Sequence, residues 1–362
     1  MALRHLELTD FRLFHAAQLD PEPEGTTVIT GANGTGKTSV LEALAYAGTR
    51  RSFRGAPAEA LVRTGAATAI VRAELTPVET GGSPTLVEAE IAPAGRSRAR
   101  VNRKAVSGRT ELGVAAPCTV FSPEDLAIVG GAPQRRRDFL DDALALLDAE
   151  GARAADETER VLRQRGALLR QAGGRAGEDV VTTLEVWDQR LADAGKVLVT
   201  ARERLVADLA PLAGAAYARL AGRPGDLLVA LDYARSWEGD LRDALTRSRA
   251  DDLRRASNTV GPHRDDVVLR IQGRAARTHA SQGEQRSLAL ALRLGVHQLV
   301  RTRTPLLPVL LLDDVFSELD PGRSRALVAE LPAGQSLLTT AAPLPAGIAV
   351  ARVVPVEGLV AS

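Results

Sequence analysis

The sequence predicts an α/β protein in which one lobe is assembled from both ends of the chain and a mostly helical lobe is inserted between them. Three observations lead to this interpretation. A glycine-rich loop near residue 31 stands between a strand-like and a helix-like segment. A continuous apolar run near residue 310 ends in two aspartates. Between these segments, leucines recur at helical spacing over a long stretch.

The predicted boundaries follow from changes in periodicity along the chain. Residues 1–125 contain alternating segments, TAIVRAEL and TLVEAEIA, that are typical of antiparallel strands. Residues 126–255 have helical spacing instead, with Leu140 and Leu144 on one helix face. Residues 256–362 return to strands. We therefore assign 1–125 and 256–362 to the α/β lobe and 126–255 to the helical lobe.

Composition excludes several classes of protein. The 362 residues suffice for two lobes with a full core, and 45% hydrophobic and 25% charged residues are ordinary for a globular protein. No apolar run reaches about 18 residues and the N-terminus has no signal-peptide core, so we expect a cytoplasmic protein without a membrane partner. The single cysteine excludes a disulfide framework, and five scattered histidines predict no zinc or iron site.

The glycine-rich loop is a nucleotide-binding candidate. The segment GANGTGKT matches G-x-x-x-x-G-K-[ST], the P-loop pattern. Glycines allow backbone N–H groups to surround phosphates, and the following helix directs its positive end toward them. Lys37 supplies a mobile charge and the Thr38 hydroxyl binds Mg²⁺. Lys37 is also one of only three lysines among 46 basic residues. The predicted ATP-binding residues of this loop are Gly31, Ala32, Asn33, Gly34, Thr35, Gly36, Lys37, Thr38 and Ser39.

The late apolar run supplies the acids that a P-loop enzyme needs. The segment PVLLLDD has the continuous hydrophobicity of a parallel strand covered on both faces. In P-loop enzymes such a strand delivers one carboxylate to Mg²⁺ and an adjacent one to the attacking water. We assign Asp313 to the metal and Asp314 to the water, so that Lys37 and Asp314 are the predicted catalytic residues.

A third segment, SQGEQRSLALALRLG, decides the class of nucleotide-binding protein. Ser281 is a residue type that caps helices, and a capped amphipathic helix is the simplest interpretation. However, the segment also resembles the signature motif of ABC ATPases, and residues 317–320 (SELD) resemble their D-loop. In that superfamily the serine and the helix N-terminus contact the γ-phosphate held by the opposite subunit. The resemblance adds Ser281, Gly283 and Glu284 to the predicted ATP site.

Three further segments resemble the RecF family. They are TRRSFR (residues 49–54), VFSPEDLAIVGGAPQRRRDFLD (120–141) and NTVGPHRDD (258–266). The resemblance covers essentially the whole chain in the right order. The opening LTDFRLF is similar to that of RecF and SMC-type proteins, in which an arginine matching Arg12 lies over the nucleotide.

The resemblance implies a function that composition and spacing do not show. The RecF family comprises ATP-dependent DNA-binding recombination mediators that dimerise on ATP and bind duplex or gapped DNA. With RecO and RecR they promote RecA loading at single-strand gaps, in DNA repair, replication recovery and SOS induction. It implies a weak ATPase, stimulated by DNA, with ATP and Mg²⁺ as cofactors.

Two other functions are compatible with these patterns. The first is an ATP-switched protein scaffold that does not bind DNA. The second is a transporter ATPase subunit. It is disfavoured because such subunits carry a glutamate where this chain has Asp314, and a histidine near the position of Thr339 and Thr340.

Local arginine clusters are the candidates for a DNA surface, because the formal net charge is only +1. One cluster contains no acid, and the alternation of its first three arginines predicts three charges on one strand face. Its members are Arg96, Arg98, Arg100, Arg103, Lys104 and Arg109. A second cluster, residues 135–137, begins a helix. A solvated arginine-rich face is the alternative interpretation of both clusters.

Overall fold

The computed structural model describes residues 1–77, 82–175, 177–223, 228–317 and 319–359. The strands of these residues, in chain order, are β1 (Ala2–Phe11), β2 (Phe14–Leu19), β3 (Gly25–Thr30), β4 (Ala69–Thr76), β5 (Thr85–Ile91), β6 (Arg98–Val101), β7 (Lys104–Val106), β8 (Cys118–Phe121), β9 (Val229–Ala234), β10 (Asp266–Ile271), β11 (Arg274–Ala275), β12 (Val309–Asp313), β13 (Gln335–Thr340) and β14 (Val350–Pro355).

The helices alternate with these strands at both ends of the chain and follow one another in its middle. They are α1 (Lys37–Thr49), α2 (Ala58–Leu61), α3 (Arg109–Ala115), α4 (Leu126–Gly130), α5 (Pro133–Leu147), α6 (Ala149–Ala172), α7 (Glu178–Leu220), α8 (Leu241–Arg255), α9 (Ala276–His279), α10 (Gln282–Arg303) and α11 (Pro321–Glu330). Within the described ranges, no helix is long and apolar enough to cross a membrane.

A five-stranded parallel sheet carries the predicted nucleotide-binding segments. Its strand order is β14-β3-β13-β12-β8, so β3 and β12 are both interior strands. All five residues of β12 are buried, which confirms the strand covered on both faces that its continuous apolar run predicts. Because β3 and β12 run parallel, the P-loop and the two aspartates follow at the same edge of the sheet.

A six-stranded antiparallel sheet has the order β2-β1-β4-β5-β6-β7. Strands β4 and β5 alternate buried and half-buried positions and pair with each other, as their sequence pattern predicts. The buried faces of both sheets share one hydrophobic cluster with α1, to which Leu41 and Leu44 contribute. The helix that follows the P-loop is therefore anchored in the main core.

The contacts of the chain divide it into two compact units. The first comprises residues 1–126, 212–228 and 280–362, and the second comprises 127–211 and 229–279. These limits differ from the boundaries that periodicity suggests at two places. Residues 229–279 contain the antiparallel sheet β11-β10-β9, whose pairing stays within the second unit. The end of α7 belongs to the first unit, where Arg219 forms an ion pair with Glu330. Both differences arise from pairing between residues distant in sequence.

The second unit has charged groups in its interior. Arg165 is completely buried and contacts Asp188 at 2.8 Å and Asp252 at 2.6 Å. Arg249 adds a second cation to Asp188 at 2.9 Å. Buried ions are tolerated when each charge is neutralised by a partner, so this network fixes how α6, α7 and α8 pack.

Candidate nucleotide-binding site

The P-loop has the backbone conformation that its glycines predict. Gly34 and Gly36 have φ angles of 84° and 99°, in the region that favours glycine. At Gly36 a Cβ atom would lie 2.7 Å from the ring of Phe14 and 2.9 Å from Leu13. Glycine is thus required at residue 36 both by its backbone angle and by the close approach of the β1–β2 turn.

Lys37 lies at the start of α1 and folds back over the loop. Its Nζ donates hydrogen bonds of 2.8 Å to the carbonyl oxygens of Gly31 and Ala32, and the side chain is buried. The Thr35 hydroxyl donates to the same Ala32 carbonyl. Residues 32–34 are exposed, whereas Ser39 is buried within α1. A cation is therefore held inside a loop whose tip faces solvent, as a phosphate site requires.

Asp313 connects three of the structural elements that meet at this edge. Its Oδ1 accepts a 2.8 Å hydrogen bond from the Thr38 hydroxyl and a 2.7 Å hydrogen bond from the Thr339 hydroxyl. Burial raises the pKa of this carboxyl, although the two hydroxyl donors act in the opposite direction. The predicted Mg²⁺ ligands, Thr38 and Asp313, are in direct contact. Hydroxyl and carboxylate oxygens are the ligands that Mg²⁺ prefers, so this pair fits the ion.

Asp314 differs from its neighbour in both conformation and surroundings. Its φ of 46° lies in the left-handed region, which aspartate tolerates better than most residues. Its backbone N–H donates to the Thr339 hydroxyl at 3.1 Å. The residue lines a pocket of about 20 Å³ together with Ser122 and Arg286. The chain thus turns sharply between the two aspartates, so that they face different environments.

The helix after the signature-like segment begins as the sequence predicts. Ser281 caps α10 by accepting from the Glu284 backbone N–H at 3.3 Å, and the Glu284 carboxylate accepts from the Ser281 backbone N–H at 2.8 Å. The Ser281 hydroxyl also donates to this carboxylate, and the two hydrogen bonds that the carboxylate accepts lower the pKa of Glu284. Ser281 is exposed.

A Cβ at Gly283 would lie 2.2 Å from the guanidinium of Arg323, so glycine provides the space for that side chain. Within the D-loop-like segment, Glu318 lies outside the described residues.

Arg12 is held by a partner that the sequence patterns did not indicate. Its guanidinium forms two hydrogen bonds of 2.8 Å with the carboxylate of Glu42 and a third with the carbonyl of Ala60. Glu42 lies on α1 and its side chain is completely buried. The sequence did contain a signal for this ion pair. Glu42 is an acid four residues after Thr38, and its neighbours on the same helix, including Leu41, are apolar. A buried carboxylate in that position requires a cation.

The first arginine cluster lies on an edge of the antiparallel sheet. Arg98 and Arg100 share the exposed face of β6, whereas Arg96 precedes the strand, so the predicted row of three is shortened to two. The neighbouring strand β5 places Glu90 opposite Arg98 and Glu88 opposite Arg100. The segment itself contains no acid, but strand pairing places two carboxylates of β5 beside it.

The remaining residues of this cluster differ in exposure. Arg103 and Lys104 are exposed at the turn between β6 and β7. Asn102 and Arg103 both have positive φ, as in a two-residue hairpin turn. Arg109, in contrast, is buried in α3. The exposed positive charge of the cluster thus lies at Arg96, on β6 and at the hairpin.

Known proteins resemble this chain over almost its whole length. A model of the RecF/RecN/SMC N terminal domain matches residues 2–337. The DNA replication and repair protein RecF of Frankia alni is 42% identical, with 99% of this chain and 98% of that protein aligned. The RecF proteins of Beutenbergia cavernae and Kineococcus radiotolerans are 42% and 41% identical, each over 94% of this chain and 94% and 93% of their own lengths. The chain belongs to the RecF family.

Solved structures agree with the assignment to the RecF family. A structure described as the recombination mediator protein RecF–ATP in the RecFOR pathway has a TM-score of 0.84 and 28% identity, and covers 94% of this chain and 92% of that chain. An SMC head domain of Pyrococcus furiosus has a TM-score of 0.51 at 15% identity, over 94% and 90% of the two chains, which shows a shared fold alone. The fold is thus that of the ABC-type ATPases of the RecF and SMC group.

Two of the segments that resemble the RecF family are joined by an ion pair and by hydrogen bonds in the second unit. Arg136 contacts Asp266 at 2.6 Å, and Arg137 donates to the backbone carbonyl of Asp265. Asp141 contacts Arg202 at 2.8 Å, and Arg202 also donates to the carbonyl of Pro262. Both Arg136 and Arg137 are buried. The second arginine cluster is therefore neither a DNA surface nor a solvated face, except at exposed Arg135.

Proposed function

We propose that this chain is a recombination mediator that binds DNA in an ATP-dependent way and dimerises around ATP. The observation that carries the proposal is the hydrogen bond between Thr38 and Asp313, which brings the P-loop helix and the acidic strand together across 275 residues. A metal–triphosphate site needs both segments at one point. Membership of the RecF family supports the DNA-directed role of such a site.

The residues present divide the work of ATP binding among themselves. Lys37 exchanges its two loop carbonyls for phosphate oxygens, and the exposed loop tip presents backbone N–H groups. Thr38 and Asp313 would hold Mg²⁺, which would neutralise phosphate charge when bound. Ser281, Gly283 and the positive end of α10 contact the γ-phosphate held by a second copy of the chain. Dimerisation then requires ATP, because ADP lacks that phosphate.

Hydrolysis is slow and serves to end the ATP-bound state. Asp314 positions the attacking water, as a general base must. It is one methylene shorter than glutamate, and Thr339, near the place where transporter subunits carry a histidine, donates its hydroxyl to Asp313. ATP binding is the working signal, and DNA stimulates the turnover. The dimer acts with RecO and RecR at gaps in duplex DNA, where RecA is loaded during repair, replication recovery and the SOS response.

The proposal is tested by measuring the size of the protein with and without ATP, in the presence and absence of gapped duplex DNA. We expect a monomer or weak dimer without nucleotide, a dimer with ATP, and an ATP-dependent complex with DNA that weakens as salt increases. An ATP-dependent dimer with no affinity for DNA at low salt would favour the protein scaffold instead. Glu88 and Glu90, opposite the exposed arginines of β6, make that outcome a real alternative.

A further inference from the structure

Glu42 is a buried charge that the proposed ATPase mechanism does not use. It lies on α1, one helical turn after Thr38, and its side chain has no exposed surface. Its carboxylate accepts two hydrogen bonds of 2.8 Å from Arg12. It accepts a further one from the hydroxyl of Ser52, in the TRRSFR segment after α1. Both oxygens of the carboxylate are thus engaged by parts of the chain that lie outside α1.

Arg12 lies in the two-residue turn between β1 and β2, and this turn forms a wall of the P-loop. The next two residues, Leu13 and Phe14, approach Gly36 so closely that a Cβ there would lie within 2.9 Å of both side chains. Arg12 itself has a left-handed φ of 55°. Its backbone N–H donates to the Leu61 carbonyl at 2.8 Å. The position of Arg12 therefore sets the position of the side chains that touch the P-loop.

Ser52 connects the carboxylate of Glu42 to segments on the side of the predicted Mg²⁺ ligands. Its hydroxyl donates to Glu42 and accepts from the backbone N–H groups of Arg54 and Ala56, each at 3.1 Å. Arg54 in turn contacts Glu124 at 3.4 Å. Glu124 follows β8, which pairs with β12, the strand that ends at Asp313. One carboxylate on α1 thus organises segments on two sides of the nucleotide site.

We infer that Glu42 is a positioning residue of the ATP site, and that Arg12 acts there mainly as its bidentate partner. The pair fixes the β1–β2 turn against Gly36, so that the P-loop is already shaped for phosphates before they bind. If Arg12 moved away, the completely buried carboxylate of Glu42 would carry a negative charge without a neighbouring cation, which is strongly unfavourable. Arg12 therefore stays with Glu42 when nucleotide binds. This inference rests on the proposed ATP-binding function and adds the residues that maintain its geometry.

The test measures the affinity of the full chain for ADP and for a non-hydrolysable ATP analogue, by calorimetry well below the melting temperature. We expect Glu42→Gln to weaken the binding of both nucleotides by a similar factor, roughly ten- to hundredfold, the range found for residues that support the ligands of bound metal ions. Arg12→Lys should do the same, because lysine keeps the charge but cannot bind bidentately. The double variant should bind nucleotide no more weakly than the weaker-binding of the two single variants, because the same Arg12–Glu42 interaction is removed in all three.

Comparison of Arg12→Lys with Arg12→Ala keeps the inference testable if Glu42→Gln does not fold. Equal losses in these two variants support the clamp, whereas rescue by lysine would mean that Arg12 acts through its charge on a phosphate and would overturn the inference. Unchanged or tighter nucleotide binding in Glu42→Gln would also overturn it.

Two further variants distinguish a positioning role of Glu42 from a general loss of stability and from a failure of ATP binding. Asp141→Asn breaks a comparable bidentate pair with Arg202 in the second unit. Asp141→Asn should lower the melting temperature and leave the ADP affinity at the wild-type value. If Glu42→Gln only destabilised the protein, it would give the same two results. Lys37→Met tests ATP binding itself. If it binds nucleotide normally the proposed function fails, whereas loss of binding in Lys37→Met with wild-type affinity in Glu42→Gln would refute only the role of Glu42.

Discussion

The hydroxyl of Thr38 donates a 2.8 Å hydrogen bond to the carboxylate of Asp313, although 275 residues separate them in the chain. The contact exists because β3 and β12 belong to one parallel sheet, in which the carboxyl ends of strands meet at the same edge. It brings a candidate metal ligand from each end of the chain to one point. It also removes a carboxylate from water.

Asp313→Asn should stabilise the nucleotide-free and Mg²⁺-free protein while it destroys the metal site. Burial raises the pKa of Asp313 above the ordinary value of 3.8, so the folded state holds this proton more tightly than the unfolded chain. The contribution of Asp313 is therefore favourable at acidic pH and is lost as pH rises through the raised pKa.

Unfolding free energies of the wild type and Asp313→Asn, measured by denaturant between pH 4 and 8, test this linkage. The advantage of the variant should grow with pH over the window above about 3.8 and then level off. A constant difference across the range would contradict it. Addition of Mg²⁺ and ATP should stabilise only the wild type strongly.

Lys37→Met should weaken ATP binding by about 1.5–3 kcal/mol or more, which is roughly ten- to hundredfold, because a charge-assisted hydrogen bond to phosphate is removed. Lys196→Met is the matched control, since Lys196 is a lysine on α7, far along the chain from the P-loop. Calorimetric titration with ATP measures both variants. Wild-type affinity in Lys37→Met would remove the P-loop from the ATP site.

Ser281→Arg should leave ATP binding largely intact and prevent ATP-dependent dimerisation. The bulky charge would stand at the start of α10, where the γ-phosphate of the opposite subunit is expected. Ser83→Arg makes the same change at an exposed serine between β4 and β5. Light scattering with and without ATP gives the result. Normal dimerisation of Ser281→Arg would show that the signature-like segment does not act between subunits.

The charges of β6 can be tested in both directions. Changing Arg98, Arg100 and Arg103 together to alanine should weaken duplex DNA binding and reduce its salt dependence by about one unit of slope for each phosphate that these side chains neutralise. Glu90→Gln should strengthen binding, because it removes the carboxylate opposite Arg98. Unchanged DNA affinity and salt slope in both variants would favour the alternative interpretation, in which the cluster is a solvated face that does not bind DNA.

Asp314→Asn should retain ATP binding and dimerisation but prolong the ATP-bound dimer. The wild-type turnover is expected well below the enzyme median of about 10 per second. Steady-state hydrolysis and dimer lifetime measure the effect, with Glu318→Gln as the comparison, because Glu318 is the other acid that could position the water. Wild-type turnover in Asp314→Asn together with reduced turnover in Glu318→Gln would transfer the role to Glu318.

The local parts of the site are encoded within short windows of the sequence. They are the strand, loop and helix around Lys37, the buried strand that ends at Asp313 and the capped start of α10. Glycine angles, strand hydrophobicity and capping hydrogen bonds depend on neighbours within a few residues. These elements could therefore be predicted together with the α/β class and the family.

Which charges are available to a ligand depends instead on the tertiary structure. Arg136 and Arg137 are adjacent to another arginine in sequence, yet they are buried against residues 265–266. Arg98 and Arg100 lie opposite carboxylates of β5, and Arg12 is bound to Glu42. The reason is physical: the free energy of a charge depends on burial and on partners that strand pairing and packing bring from distant parts of the chain. A window of sequence that contains the charge does not contain those partners.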